Sequence, residues 1–163
     1  MKACYPGTYD PITKGHLDII ARASKIFDEV VVLIMRNPYK TCLFSEEERA
    51  SMIETSVRSL NLQNVKVEIG SGLTVDYANK IGASVIVRGI RAVSDYEYEL
   101  LQATANMNLN DSIETMFFIA RPEYSFLSSS VVKEIASNGG DVSKMVPSSI
   151  LEEVSTRVKE KMQ

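Results

Sequence analysis

The only imidazole of the chain, His16, closes a stretch reading Tyr5-Pro6-Gly7-Thr8-Tyr9-Asp10-Pro11-Ile12-Thr13-Lys14-Gly15-His16. Gly7 and Gly15 allow backbone to approach a ligand, and Thr8 offers a hydroxyl. A helix beginning here would turn unsatisfied N–H groups toward an anion. A second segment, Arg88-Gly89-Ile90-Arg91, sets two guanidinium forks three residues apart around a glycine, a pattern suited to phosphates. A third, Tyr124-Ser125-Phe126-Leu127-Ser128-Ser129-Ser130, puts three serines ahead of a helical pattern. One serine suffices as an N-cap, which leaves two hydroxyls for a phosphate. Lys40, in Asn37-Pro38-Tyr39-Lys40, is a further cation. Taken singly, each segment is equally compatible with an ordinary turn, a cap or a solvated surface charge. No GxxxxGK[ST] or GxGxxG pattern occurs, so neither of those glycine loops cradles the anion.

Such chemistry requires the segments to meet, and short apolar runs alternating with amphipathic stretches predict how they do so. Strands are expected at Lys2–Tyr5, Glu29–Met35, Val65–Ile69, Ser84–Arg88 and Thr115–Ala120. Helical spacing links Leu17, Ile20, Ala21, Ser24 and Phe27. Ser45-Glu46-Glu47-Glu48 and Ser94-Asp95-Tyr96-Glu97 read as capping boxes that open the second and fourth helices, the fourth running to about Asn108. The third helix begins near Thr74 and closes at Gly82, the fifth spans Ser129 to Ser137, and a last one follows Pro147. The predicted fold is α/β, a Rossmann-like doubly wound five-stranded parallel sheet in the order 3-2-1-4-5 with C-terminal helices, forming one domain over residues 1–163. Strands 1 and 4 flank the switch point of that sheet. The loops after strands 1, 4 and 5 then converge on adjacent carboxyl ends, and this convergence favours a nucleotide site.

Composition narrows the classes further. With 45% hydrophobic and 24% charged residues the chain has the usage of an ordinary globular domain. A formal net charge of −3 gives no basic excess for a nucleic-acid backbone, so phosphate binding must come from a few convergent groups. No apolar run is long enough to suggest a membrane span, and Met1 to Pro6 has no signal-peptide character. Cys4 and Cys42 are expected as reduced thiols of a cytoplasmic protein. With two cysteines and one histidine, a zinc site built on protein nitrogen and sulfur is not expected.

The stretch from Tyr5 to His16 resembles the TxGH motif of the cytidylyl/adenylyltransferase superfamily, with Thr13 where the commoner HIGH form has a first histidine. Arg88-Gly89-Ile90-Arg91-Ala92-Val93-Ser94-Asp95-Tyr96-Glu97-Tyr98-Glu99 and the serines from Ser125 to Ser130 are similar to segments of the phosphopantetheine adenylyltransferases in particular. Gly72 stands where that family often has an acidic residue. The resemblance covers essentially the whole chain. It implies transfer of the adenylyl group of ATP to 4′-phosphopantetheine, giving dephospho-coenzyme A and pyrophosphate, with Mg²⁺ as cofactor, in a cytoplasmic homohexamer. By the same resemblance His16 and Lys40 are the catalytic residues. Thr8, Lys40, Leu73, Thr74 and Arg88 would bind the acceptor. Thr8, Tyr9, His16, Gly89, Ile90, Arg91, Glu99 and the run Tyr124, Ser125, Phe126, Leu127, Ser128, Ser129, Ser130 would bind ATP. Superfamily members acting on nicotinamide mononucleotide or glycerol 3-phosphate would share the His16 loop and differ around Lys40, Leu73 and Thr74. A non-catalytic nucleotide-sensing domain is the rival of another class, and it would need neither His16 nor Lys40.

Overall fold

The computed structural model describes residues 1–161. Strands β1 (Lys2–Gly7), β2 (Glu29–Met35), β3 (Val65–Gly70), β4 (Val85–Ile90) and β5 (Glu114–Ile119) pair in parallel in the order β3-β2-β1-β4-β5. Helices α1 (Lys14–Ala23), α2 (Glu46–Ser59), α3 (Thr74–Lys80) and α4 (Val93–Leu109) alternate with them, and α5 (Ser129–Ser137) and α6 (Leu151–Lys161) follow the last strand. The sheet and its order are those predicted. Strand β2 is apolar without a break from Val30 to Ile34 and buries all five residues completely, because helices cover both faces. The larger core layer joins Tyr5, Val32 and Val87 to Ile20, Ile53 and Val154, and a smaller one sets Cys4, Val31 and Ile86 against Val75 and Ala78 of α3. Cys4 and Cys42 are both free, and burial pushes the Cys4 thiol up to about 12, which makes it inert at neutral pH. Among the described residues no helix is long and apolar enough to cross a membrane.

The seam between β1 and β4 makes room for the site. β1 pairs with β2 over six residues, from Lys2 to Gly7, but with β4 only at Ala3 and Cys4. Beyond Cys4 the ladder stops, because Pro6 has no N–H to extend it on the side its carbonyl faces. Arg88 spans the opening instead, donating from Nη1 to the Pro6 carbonyl at 2.9 Å. The two central strands therefore part at their carboxyl ends, where the switch point of a doubly wound sheet offers a crevice.

Three local expectations are corrected. β4 continues past its predicted end at Arg88 through Ile90, so Gly89 and Ile90 belong to the strand as well and only Arg91 enters the loop. The capping box at Ser94-Asp95-Tyr96-Glu97 does not form, since α4 starts at Val93 on Ala92 with no side-chain cap. The helix starts ahead of Ser94, which leaves that serine inside the first turn, and Asp95 turns back to accept from both the guanidinium and the backbone N–H of Arg91. Phe27 lies beyond the end of α1 and is still buried, so its helical spacing was incidental to its burial. The box at Ser45 is real: the Ser45 hydroxyl accepts from the Glu48 N–H at 3.1 Å, and Glu48 accepts from the Ser45 N–H at 2.8 Å.

Candidate active site

A cavity of about 650 Å³ occupies the crevice between β1 and β4. Thr8, Tyr9, His16, Lys40, Arg88, Gly89, Arg91, Glu99, Tyr124, Leu127, Ser128, Ser129 and Ser130 all line it. Segments drawn from four separate loops thus share one chamber. Ile90 does not line it, being buried at the end of β4, and Ser125 and the 57% exposed Phe126 lie outside. Leu73 and Thr74 also stand apart: Thr74 lines a small neighbouring cleft with Arg88, Tyr98 and Asn106, while Leu73 is the exposed N-cap of α3.

His16 is fixed by its own helix cap and by a tyrosine. Thr13 caps α1, its hydroxyl accepting from the His16 N–H at 3.3 Å, and His16 Nδ1 accepts from the Thr13 N–H at 3.1 Å. A capping box closed by histidine in place of the usual glutamate assigns the tautomer, for a nitrogen that accepts is unprotonated and Nε2 carries the hydrogen. Tyr9 packs edge-on against the imidazole at 5.1 Å between centroids and donates its hydroxyl to the Tyr5 carbonyl at 2.6 Å. Burial, with Arg91 and Arg88 nearby, lowers the His16 pKa to about 4. At neutral pH His16 is therefore an uncharged N–H donor. Gly7 is required by this packing, since a Cβ there would come within 2.9 Å of the Tyr9 ring. At Gly89 a Cβ would meet Ile19 of α1 at 2.6 Å, so that glycine lets α1 pack closely against β4 while it also lines the chamber.

The arginines are oriented as well. Arg88 grips Glu99 with two bonds of 2.6 Å, so both carboxylate oxygens of Glu99 are taken. Arg91 donates to Asp95 at 2.9 and 3.2 Å and from Nη1 to the Leu127 carbonyl at 2.7 Å, which ties the loop after β4 to the serine segment. The serines divide their work differently from expectation. Ser128 caps α5 by accepting from Val131 at 3.1 Å, and Ser129 donates to the Pro11 carbonyl at 2.8 Å. Only the Ser130 hydroxyl has no partner among the described residues, so one hydroxyl is spare where two were expected. The amides of Ser129 and Ser130 open the helix without a carbonyl four residues back.

Residue types alone did not single out Asp10, Arg49 and Lys133. Arg49 is 3% exposed and donates to the Thr8 carbonyl at 2.7 Å. Asp10 and Lys133 pair at 2.7 Å inside the cavity. Burial alone would raise the Asp10 pKa, but Lys133 and the N–H groups of Leu43 and Phe44 outweigh it and hold the carboxyl below its ordinary range. An acid among phosphate-seeking groups was a usable signal for an internal partner. Lys133, more than a hundred positions away, carried none.

With this geometry in view, residues 4–135 match the cytidylyltransferase-like family. The phosphopantetheine adenylyltransferase of Finegoldia magna is 50% identical over 160 residues, 98% of each chain, and that of Gloeobacter violaceus 54% over 157 residues, 96% of each. The chain belongs to the phosphopantetheine adenylyltransferase family. In fold it also matches a bifunctional NMN adenylyltransferase/ADP ribose pyrophosphatase from Francisella tularensis, with a TM-score of 0.71 at 17% identity, covering 99% of this chain and 50% of that one. In the family's terms the chamber unites the expected catalytic pair and most of the expected ATP set. Of the acceptor set it brings in Thr8, Lys40 and Arg88 and leaves Leu73 and Thr74 outside.

Proposed function

We propose that the chain transfers the adenylyl group of ATP to 4′-phosphopantetheine by direct in-line attack, without a covalent intermediate. The observation that carries this reading is the meeting of His16, Lys40, Arg88, Arg91 and the start of α5 in one chamber. The attacking phosphate monoester has a second pKa of about 6, so near neutral pH it is already dianionic and needs no general base. That suits a site whose one histidine is an uncharged donor. The chain's task is to hold two anions in line and to meet charge as it builds on the α-phosphate. Lys40 and Thr8 hold the 4′-phosphate, with Arg88 beside them and Leu73 and Thr74 along the arm. His16 aims Nε2–H at the α-phosphate. Arg91, Ser130 and the free amides of α5 receive the departing pyrophosphate. Tyr9, Tyr124 and Leu127 border the nucleotide, and Glu99 acts by holding Arg88.

Mg²⁺ suits this chamber as a companion of the ATP phosphates. Among the described residues no cluster of three His, Cys, Asp or Glu side chains forms, and the chamber's carboxylates Asp10 and Glu99 already face Lys133 and Arg88. An ion that keeps most of its water and binds through substrate phosphates needs no protein cage. When bound it would neutralise the polyphosphate and stabilise the leaving group.

The same reading makes the protein a homohexamer of the cytoplasm. Exposed apolar side chains along α4, including Val93 at 78% and Leu101 at 69%, support self-association. Both substrates are charged and stay in the compartment where they are made. The test is pyrophosphate release from ATP, Mg²⁺ and each candidate acceptor in turn. Release with 4′-phosphopantetheine and none with nicotinamide mononucleotide is expected, and the reverse pattern would overturn the acceptor. Light scattering that finds only a monomer at micromolar concentration would remove the hexamer.

A further inference from the structure

Asp10 is an acid in a chamber furnished to hold phosphates. It lies two residues past Thr8 in the loop between β1 and α1. A bare carboxylate there would repel both substrates. Asp10 is instead fully engaged. Its side chain is 3% exposed, it accepts from the Leu43 N–H at 3.0 and 2.9 Å and from the Phe44 N–H at 2.9 Å, and Lys133 Nζ meets it at 2.7 Å.

Those N–H groups end the segment that carries Lys40. Residues 36–45 form a strap without helix or strand between β2 and α2. Its outer end turns on Asn37, whose carbonyl accepts from the Lys40 N–H at 3.1 Å, while the neighbouring Tyr39 is 95% exposed. At its inner end every backbone polar group of Leu43 and Phe44 is held. Asp10 takes both N–H groups, Arg49 donates to the Phe44 carbonyl at 3.1 Å, and Arg157 donates to the Leu43 carbonyl at 3.3 Å. Arg49 grips the Thr8 carbonyl with its other arm. On the opposite side Lys133 sits one turn beyond Ser129, whose hydroxyl holds Pro11, so the Asp10 loop is fastened twice to α5.

We propose that Asp10 is a positioning residue for the transfer: it sets where Lys40 stands relative to Thr8 and, through Lys133, relative to the start of α5. The acceptor strap and the nucleotide-side helix are registered against each other across one carboxylate. Two separately bound substrates must meet in line, and a displacement of about 1 Å can cost ~10² in rate. The inference rests on the reading of Lys40 as a group that acts on the acceptor phosphate.

A double-substitution cycle with steady-state kinetics and calorimetry tests it. Asp10→Asn keeps the shape but leaves one acceptor oxygen and no charge for Lys133. It should lower kcat/KM for 4′-phosphopantetheine about tenfold, with the ATP Kd within about threefold. In a Lys40→Ala background the same change should cost less than about twofold, because the group being positioned is gone. Lys133→Met should follow the same pattern with a smaller loss, about fivefold, and it carries the cycle if Asp10→Asn does not fold. Losses that add fully in the Lys40→Ala background, an ATP Kd that worsens as much as the acceptor KM, or an unimpaired Asp10→Asn would each overturn the inference alone. An unimpaired Lys40→Ala would instead overturn the reading of Lys40, and the inference with it.

Discussion

The two rims of the chamber are built to different degrees of order. On the nucleotide rim Arg91 is held by Asp95 and the Leu127 carbonyl, Ser128 caps α5, and Ser129 is bonded to Pro11. On the acceptor rim Arg88 is held by Glu99 and Pro6, but Lys40 is exposed on an irregular strap, and its Nζ makes no ion pair or hydrogen bond among the described residues. Ordering a long side chain on binding costs about 0.5–1.5 kcal/mol, so a pre-set rim binds at smaller entropic cost than a loose one. On the proposed assignment of the rims, ATP meets a nearly finished surface while the acceptor still has Lys40 to order. His16 stands between the rims and is fixed by Thr13 and Tyr9 rather than by either.

Removing the group between the rims should have the largest effect. His16→Ala is expected to lower kcat by about 10²–10³, with ATP affinity within several-fold, because one transition-state donor is lost and the phosphate contacts remain. A variant with near-normal kcat would reduce His16 to the cap of α1. Next comes the loose rim. Lys40→Ala should lower kcat/KM for phosphopantetheine by about 10², yet leave ATP binding measured alone by calorimetry nearly unchanged. The opposite pattern would show the rims exchanged.

Loosening the ordered rim should cost less. Asp95→Ala frees the Arg91 guanidinium, and the ATP Kd should rise about three- to tenfold as an oriented fork becomes a mobile one. The pair is partly exposed, so the stability change should stay below about 1 kcal/mol by thermal unfolding. An ATP affinity that improved would mean that Asp95 competes with phosphate for Arg91 rather than aiming it.

The smallest effect is a signal that stays still. With one histidine, imidazole NMR reports His16 alone, and in the ligand-free protein it should show the Nε2–H tautomer and no titration between pH 8 and about 5.5. The sign for stability follows from the same values. The unfolded chain takes up a proton near pH 6.5 that the folded chain refuses until about 4, so stability contributed by neutral His16 is intact above 6.5 and lost progressively below it. A titration midpoint near 6.5 in the folded protein would show the imidazole to be solvated and freely protonated.

Much of this was legible in the residues. The alternation of apolar runs with amphipathic stretches was enough for the sheet order, and sheet order was enough to send three loops to one crevice. The box at Ser45 was correctly legible because its partners are three residues apart. The box at Ser94 was not, because α4 starts at Val93 and leaves Ser94 inside its first turn, where it is no longer the cap. The spare serine hydroxyls were miscounted because Ser129 finds Pro11, more than a hundred residues away.

By itself the sequence determined the fold class, the strand order, the family and the meeting of His16, Lys40 and the arginines, since all of these follow from local periodicity and short contiguous motifs. Only the tertiary structure decided what state those groups are in. It made His16 a neutral donor, turned Glu99 onto Arg88, seated Asp10 between Lys133 and the strap, and kept Leu73 and Thr74 out of the main chamber. The physical reason is that charge state and side-chain aim depend on desolvation and on partners brought together by folding, and neither is written in the spacing of neighbours along the chain.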